Sequence, residues 1–600
     1  MKLLFALGLA GALALSSPAQ TLYRGPGDPT PPLGGYPGSP YPYGTPDLTT
    51  WPFWWEFNRT PYLRELFQER QTPAAPGVTP TKQDLARNVG PTLLRQLGSN
   101  PPPELIAATL IALAKLGGEN AEPALVPLFR RYLDDGRPQV ASSAALALGI
   151  LGDGTALPVL VELVADTPAG RKQADAIEVP TRVRVFAAAA LGTLARQTDD
   201  NATRRTIRRQ LRATFEADSS PTRDVQVACL LALGLVPIGE PEARHEAVAW
   251  LFGVLEDSAG SGAVRCHAAG TISCILACSE DNKATEAALE VLLRLAMDPR
   301  EKREVNQSCL LALGRLADTD PEGIDGRVRA AVINFRRTCT DTQVRNFSLV
   351  ALAEIGGRAG PGDPAKAIAE ISAHLELTMQ KGRSAMRPWA AIGAGLLAHQ
   401  LGEATPPELI EVLRTKCAAE RTPRVAPYAL GMGLSARREL APLLLESYGR
   451  FDDEETRGAI GLALGLLQAG EPTLLASFVA GRDQPRLQQD LAVALALIGS
   501  DKARNALLDE LARAGTPDLK GALAFAIGNL HDRRTIAPLI KLVSDTKLPA
   551  TTRAAAAAAL GILGARQAIP WHEPLTRGFN HRASTYALTG CEPPGLFLVL

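Results

Sequence analysis

Apolar residues recur along this chain in a pattern that predicts stacked helices. The clearest unit is VASSAALALGILGDGTALPVLVELVAD at 140–166, in which an apolar helical stretch, a glycine-rich loop and a second helical stretch follow one another. Versions of its first part return at 183–195, 305–318, 456–467 and 552–564. We interpret the recurring part as the second helix of one pair, and the stretch after the loop as the first helix of the next pair.

A column of small residues, which we call the anchor column, gives the number of repeats. Its members follow the recurrent Ala-Leu step and are Ala114, Gly149, Gly192, Gly234, Ser273, Gly314, Ala353, Gly395, Gly431, Gly465, Ala496, Gly528 and Gly561. They define about 13 units spaced about 31 to 43 residues apart. Gly inside a helix costs ~1 kcal/mol relative to Ala, so the column predicts a second helix crossing close to this backbone.

The predicted fold is all-α, an α-solenoid or superhelix of about 13 two-helix repeats spanning about 100–575. One helix pair cannot bury its own apolar face, so the pairs are expected to stack around a continuous core. Helix spacings of 8–10 Å over 13 layers imply an arc of roughly 100–130 Å. Hydrophobic residues make up 46% of the chain and aromatic residues only 5%, which is a helical composition.

The two ends of the chain lie outside the repeats. Residues 1–19 read as a signal peptide cleaved after Ala19, and 20–50, rich in Pro, Gly and Tyr, as a disordered tether. This predicts export to the periplasm, the cell envelope or the extracellular space. Residues 51–99 are expected to form an aromatic N-terminal segment and cap, and 576–600 a C-terminal cap.

Three of the six Trp residues, Trp51, Trp54 and Trp55, lie close together in the aromatic segment. Two interpretations remain open. The segment could fold back as a cap over the first repeat, which is favoured because the apolar residues of 62–67 continue a helical pattern. Alternatively, it could be a docking arm for a peptide or polymer partner.

In the repeated residues the chain resembles HEAT repeats, particularly the short HEAT-like units of phycobilisome lyases. Their V-R-x-x-A-A-x-A-L-G-x-L-G pattern is carried by Val183, Arg184, Ala187, Ala188, Leu191 and Gly192, and again at 552–564. With its leader and tether, the chain also resembles exported HEAT-repeat proteins of Planctomycetes-type bacteria. The resemblance implies a scaffold with protein-binding surfaces.

Two basic clusters are candidates for structure or binding. Eight residues before the anchor, a basic column contains Arg184, Arg265, Arg345, Arg387, Arg457, Lys520 and Arg553. In similar HEAT proteins this position ties a helix pair together through a hydrogen-bonded ladder, and a cationic stripe for an acidic ligand is the alternative. The second cluster, a solvated face or a site for an acidic partner, contains Arg204, Arg205, Arg208, Arg209 and Arg212.

Charge and chain pattern argue against nucleic acid and a membrane as partners. Lys+Arg and Asp+Glu number 63 each, so no net field draws the chain to nucleic acid. No segment after the leader has about 20 uninterrupted apolar residues, so no transmembrane segment is expected in the mature chain. Longer loops at 166–182, 256–263 and 356–366 direct the search for a protein partner to 149–395.

Catalytic signatures are lacking in the sequence. The eight Cys form no CxxC pattern, and a metal or redox pair at Cys274 and Cys278, or disulfides between 229 and 339, stay open. Deoxyhypusine hydroxylase, a HEAT enzyme, uses several His-Glu pairs, whereas only 245–246 and 572–573 occur here. We therefore expect a non-catalytic scaffold with no cofactor and no metal; a HEAT-type lyase or metal-dependent hydroxylase is the less favoured alternative.

Overall fold

The computed structural model describes residues 49–63, 78–98, 101–117, 124–220, 222–565, 578–590 and 594–599. Within these ranges every regular element is a helix. The expected signal peptide, nearly all of the tether, and Cys591 lie outside the described residues. The predicted all-α class and the predicted solenoid of helix pairs are confirmed.

Thirteen helix pairs follow one another along the described chain. Their first helices, which we call outer, are α2 (Gly90–Gln96), α4 (Leu125–Arg130), α6 (Leu157–Val164), α9 (Asn201–Ala217), α11 (Pro241–Glu256), α13 (Asn282–Met297), α15 (Gly323–Thr338), α17 (Ala365–Lys381), α19 (Pro407–Ala419), α21 (Ala441–Tyr448), α23 (Glu471–Ala480), α25 (Asp501–Arg513) and α27 (Ile536–Ser544). A short helix, α7 (Pro168–Gln173), is inserted after α6.

The second helices, which we call inner, are α3 (Pro103–Leu116), α5 (Pro138–Leu151), α8 (Thr181–Gln197), α10 (Asp224–Leu235), α12 (Gly262–Leu276), α14 (Arg303–Leu316), α16 (Thr342–Gly356), α18 (Arg387–Leu401), α20 (Ala426–Leu434), α22 (Glu454–Leu466), α24 (Pro485–Ile498), α26 (Pro517–Gly528) and α28 (Ala550–Gly564). Each inner helix packs on both neighbouring inner helices, more closely than the outer helices pack on one another. The inner helices therefore lie at the smaller radius.

Local sequence signals set several helix starts. Asp200 accepts hydrogen bonds from the backbone N–H groups of Ala202 and Thr203 and so caps α9. Asp453 caps α22 in the same way through Thr456, and Glu454 and Glu455 follow in the first turn. Residues 452–455 thus form a charged helix start.

The anchor column is where neighbouring inner helices make their closest approach. A β-carbon placed on Gly149 would lie 2.4 Å from the Cα of Ala190, and one on Gly465 would lie 2.7 Å from that of Ala494. The partner is the Ala two residues before the next anchor in both junctions. The predicted close crossing is confirmed, because these junctions leave no room for a side chain.

The array closes into a ring, which the sequence pattern did not predict. Helix α28 packs against α3, and a β-carbon on Gly561 would lie 2.7 Å from the Cα of Ala112. Arg553 of α28 donates to Gln96 Oε1 of α2 at 2.7 Å. Helix α2 is thus the first outer helix, and the repeats begin about ten residues before the expected boundary at 100.

Candidate functional site

The interior of the ring holds both ends of the described chain. We call these residues, 49–63, 578–590 and 594–599, the plug. They contain α1 (Trp51–Asn58), α29 (Tyr586–Thr589) and α30 (Leu596–Val599). The two parts meet where the Phe57 and Phe579 rings lie 5.4 Å apart and Gly578 N–H donates to Asn58 Oδ1 at 3.1 Å.

Helix α1 lies against the inner faces of α16 and α18. The Trp54 ring lies 6.3 Å from that of Trp389, edge to face, and only 2% of Trp54 is exposed. Asn346 Nδ2 donates to the carbonyl of Thr49 at 3.2 Å. Trp55 is also buried and stacks on Tyr62. The interpretation of this segment as a cap on the first repeat is wrong, because a closed array has no open end to cover.

The C-terminal part of the plug crosses four inner helices in order. Asn580 donates to the carbonyl of Glu304 on α14 at 3.1 Å, and the His267 ring on α12 lies 3.1 Å from the Ala583 carbonyl. On α10, Asp224 accepts from Ala587 N–H at 3.2 Å. Arg182 on α8 donates to the carbonyl of Pro594. The expected C-terminal cap is therefore a lining of the ring interior instead of a cover for the last pair.

One inner-face position shows why the plug lies where it does. Six residues before each anchor, the thirteen repeats carry Ala108, Ser143, Phe186, Ala228, His267, Ser308, Phe347, Trp389, Val425, Ala459, Asp490, Ala522 and Ala555. The aromatic members are confined to α8–α18, which are the helices that the plug covers. The sequence analysis missed this column, although the alignment on the anchors contains it.

Burial beneath the plug extends to whole helices. In α16 every residue from Gln343 to Gly356 is buried. Two neighbouring inner helices, the outer helices α15 and α17, and the plug surround it. A helix on the protein surface has an exposed polar stripe, which α16 lacks. The polar residues of α16 therefore have to find partners inside the protein.

A cavity of about 30 Å³ separates α10, α12 and α14 from the plug. The anchor junction is looser here, because a β-carbon on Gly234 would lie 3.2 Å from the Cys274 Cβ and 3.8 Å from the Thr271 Cα. His267 lines the cavity, and its burial lowers its pKa to about 4, so the ring is neutral and donates from Nε2 to Ala583. Burial also raises the pKa of Cys266 to about 12. This side of the cavity is therefore uncharged at neutral pH.

Four of the cysteines in the described residues, Cys229, Cys266, Cys309 and Cys417, are buried free thiols. Cys274 lines the cavity, whereas Cys278 is exposed beyond the end of α12. Among the described residues no group of three or more His, Cys, Asp or Glu side chains is arranged to hold a metal ion. His245 lies 2.7 Å from Asp281, and the second His-Glu pair, at 572–573, lies outside the described residues.

The basic column lies between the two helices of each pair. Arg184 donates through Nε to the carbonyl of Val164 at 3.1 Å, and Arg265 does so to Leu255 at 2.7 Å. The accepting carbonyls come from the ends of the outer helices. In three of the repeats without a basic residue here, an amide donates to the same kind of carbonyl: Gln226 to Phe215, Asn306 to Leu295 and Gln488 to Phe478.

Some members of the column also reach the next repeat. Arg184 pairs with Asp218 at 3.0 Å, and Arg265 donates to Glu301 Oε1 at 2.8 Å. Arg387 donates to Gly382, and Arg457 bonds Ser477 and lies 4.7 Å above the Tyr448 ring. Arg345 is buried, and Lys520 is partly exposed. Arg387 is exposed, whereas the other arginines of the column are buried or partly buried, so the column is not a continuous exposed cationic stripe.

The second basic cluster lies on the outer helix α9. Arg205 pairs with Glu240 at 3.2 Å, and Arg212 pairs with both Glu216 and Glu246. Arg204 donates to the carbonyl of Ala195 at 3.3 Å. Arg208 is partly exposed and Arg209 exposed; within the described chain no hydrogen bond or ion pair is found for either side chain. They are the uncompensated charges of this face.

Within the described residues no helix is long and apolar enough to cross a membrane.

Comparisons with known proteins recognise the repeats. A family model described as HEAT repeats matches residues 90–179 and 504–577, the two parts of the chain that meet where the ring closes. No curated protein matches this chain.

Among solved structures, importin β is 15% identical, with 77% of this chain and 66% of that chain covered and a TM-score of 0.36. Kap121p is 12% identical over 80% of this chain and 52% of its own, with a TM-score of 0.35. An engineered protein is 19% identical over 73% of this chain and 98% of its own, with a TM-score of 0.27. This chain thus spans about two thirds of importin β and half of Kap121p, and the likeness concerns the fold alone. The described chain is an α-solenoid of helix pairs, and it is similar to HEAT repeats over the two matched parts.

Proposed function

We propose that this protein is a non-catalytic scaffold that binds an acidic protein partner on the outer surface of the ring, at α9. The observation that carries the proposal is the pair Arg208 and Arg209. Their neighbours Arg205 and Arg212 are neutralised by glutamates, whereas these two are not. Exposed guanidinium groups without a partner are available for bidentate bonds to carboxylates.

The arrangement of the ring supports an outer site. The plug covers the inner faces of α8 to α18, so the exposed side chains of these repeats lie mainly on the outer helices. The inserted helix α7 also lies on the outer side, next to α6, within the longer loops of the first half of the chain. HEAT solenoids typically bind proteins over such extended surfaces.

The test is a crosslinking pull-down with residues 20–600 as bait, comparing wild type with an Arg208→Glu/Arg209→Glu variant. Lys502→Glu/Arg513→Glu on the outer helix α25 is the matched control, since it reverses two exposed charges on the other half of the ring. We expect one partner, crosslinked near α9, to be lost in the first variant and kept in the control. A folded ring recovered alone, or a partner retained by both variants, would refute the proposal.

We also propose that the protein works outside the cytoplasm. This rests on Lys2, the apolar stretch after it and Ser17-Pro18-Ala19, a leader pattern. Mass spectrometry of the purified native protein should find Gln20 at its N-terminus. A chain that begins at Met1 would contradict this.

A further inference from the structure

Helix α1 resembles a bound ligand more than a part of the solenoid. In sequence it precedes the first repeat, but it packs on α16 and α18 on a distant part of the ring. Its Phe57 and Asn58 also contact residues 578–581 of the plug. Residues 64–77, outside the described ranges, connect it to the array. Deleting it would remove no repeat and no junction between inner helices.

The surface beneath α1, which we call the aromatic seat, consists of Gln343, Asn346 and Phe347 of α16 with Trp389 of α18. Phe347 and Trp389 both belong to the column six residues before the anchor, where most repeats have Ala or Ser. Their rings lie 5.7 Å apart, edge to face. The seat is therefore built for a large aromatic side chain, which Trp54 now supplies.

Polar atoms at the seat are left without partners when α1 occupies it. Within the described residues, the indole Nε1 of Trp54 has no acceptor and Asn346 Oδ1 has no donor, although the two side chains are 2% and 0% exposed. Gln343 Nε2, in a side chain 1% exposed, is unpaired as well. Buried polar atoms without partners weaken a packed interface. A ligand that supplied a donor to Asn346 and an acceptor to Gln343 would fit the seat better than α1 does.

We propose that the aromatic seat is a binding site for a short helix with aromatic residues at the spacing of Trp54 and Phe57, presented by a second protein. Residues three apart lie on one face of a helix, so such a helix can present both rings to the ring interior. In the structure, α1 of the same chain occupies this site. Tethering gives it an effective concentration of roughly millimolar, so the partner helix binds only when α1 is displaced. The inference concerns the ring interior and is independent of the outer surface at α9.

The experiment uses a labelled peptide of residues 49–63 added to the full mature chain, followed by fluorescence anisotropy. In a Trp54→Ala/Phe57→Ala variant the resident helix is weakened, and we expect the peptide to bind at least tenfold more tightly than to wild type. Trp250→Ala, which removes an aromatic ring from the outer helix α11, is the matched control and should bind as wild type does. A peptide carrying both alanines should not bind the variant.

Two results would overturn the proposal. One is a folded Trp54→Ala/Phe57→Ala variant, with the circular dichroism and sedimentation of wild type, that does not bind the peptide. The other is equal binding to that variant and to wild type.

A second measurement leaves every contact residue intact. A protease site introduced within residues 64–77 is designed so that the chain can be cut between α1 and the first repeat in the folded protein. After cleavage the N-terminal fragment should exchange with the labelled peptide. A fragment that never exchanges would show that α1 is a permanent structural filling.

Discussion

Gly561 in the last inner helix packs directly on Ala112 in the first, and a β-carbon on Gly561 would lie 2.7 Å from the Ala112 Cα. Gly149 and Ala190 make the same close contact between two neighbouring inner helices within the array. The ring therefore closes through the same contact that joins its neighbouring repeats.

We predict that Gly561→Ala destabilises the protein, because the new methyl group has to be accommodated between two backbones. The expected cost is about 1–3 kcal/mol, similar to that of Gly149→Ala. Gly253→Ala, on the outer helix α11 with open space around it, should instead stabilise by about 0.5–1 kcal/mol. Urea denaturation of the three variants measures this. If Gly561→Ala behaved as Gly253→Ala does, the ring would be open in solution.

We predict that two substitutions of Arg265, a member of the basic column, lower the stability of the protein by different amounts. Arg265 is 2% exposed and bonded to Leu255 and Glu301. Arg265→Met leaves Glu301 and the Leu255 carbonyl without their donor and should cost about 3 kcal/mol. Arg265→Gln should cost less, because Gln226 makes the bond to the outer-helix carbonyl in its own repeat. The free energy of unfolding of each variant is the measurement. Equal losses would mean that the bond to the carbonyl contributes nothing.

We predict that acid weakens the packing of the plug on the ring, because His267 lies beneath it. Its pKa in the folded protein is about 4, below its ordinary value, so the neutral ring favours the packed state. That stability is complete above about pH 6.5 and falls as the pH drops towards 4, by up to roughly 3 kcal/mol. Protection factors in residues 578–590, which are corrected for the intrinsic pH dependence of amide exchange, should therefore be lower at pH 5 than at pH 7.5.

The control for His267 is Gln, which can still donate to Ala583 but does not titrate. The protection factors of residues 578–590 in His267→Gln should change less between the two pH values. The same change in wild type and variant would assign the effect to other groups.

We predict the opposite pH dependence for the stability that Asp325 contributes. Burial, with Asp318 and Asp320 nearby, raises its pKa to about 6, so folding favours the protonated acid. The stability it contributes is present below about pH 3.8 and is lost as the pH rises through 6. Asp325→Asn keeps an oxygen to accept the Asp318 N–H and should stabilise by about 1 kcal/mol at pH 8, since Asp325 is partly exposed.

Thermal denaturation of Asp325→Asn at pH 8 and pH 4 checks this sign, with the gain expected only at pH 8. Asp134→Asn, at an exposed position after α4, is the matched control and should show no such difference. A gain for Asp325→Asn that is equal at both pH values would contradict a raised pKa.

Local features of this protein could be predicted from the sequence because they depend on neighbouring residues. The anchor column predicted which positions lie where inner helices cross, since only Gly, Ala or Ser fits there. Helix starts such as that at Asp453 followed from capping chemistry. Even the place of the plug left a signal, in Phe347 and Trp389 at a position that most other repeats fill with Ala or Ser.

Closure of the ring was decided only by the tertiary structure. Each repeat turns from the last by about 28° in a closed ring of thirteen, and a few degrees less would leave an open superhelix. No single junction contains this information, because small rotations add over the whole array. Closure removed the ends that caps at 51–99 and 576–600 were expected to cover, and it brought Trp54 within reach of Trp389 inside the ring.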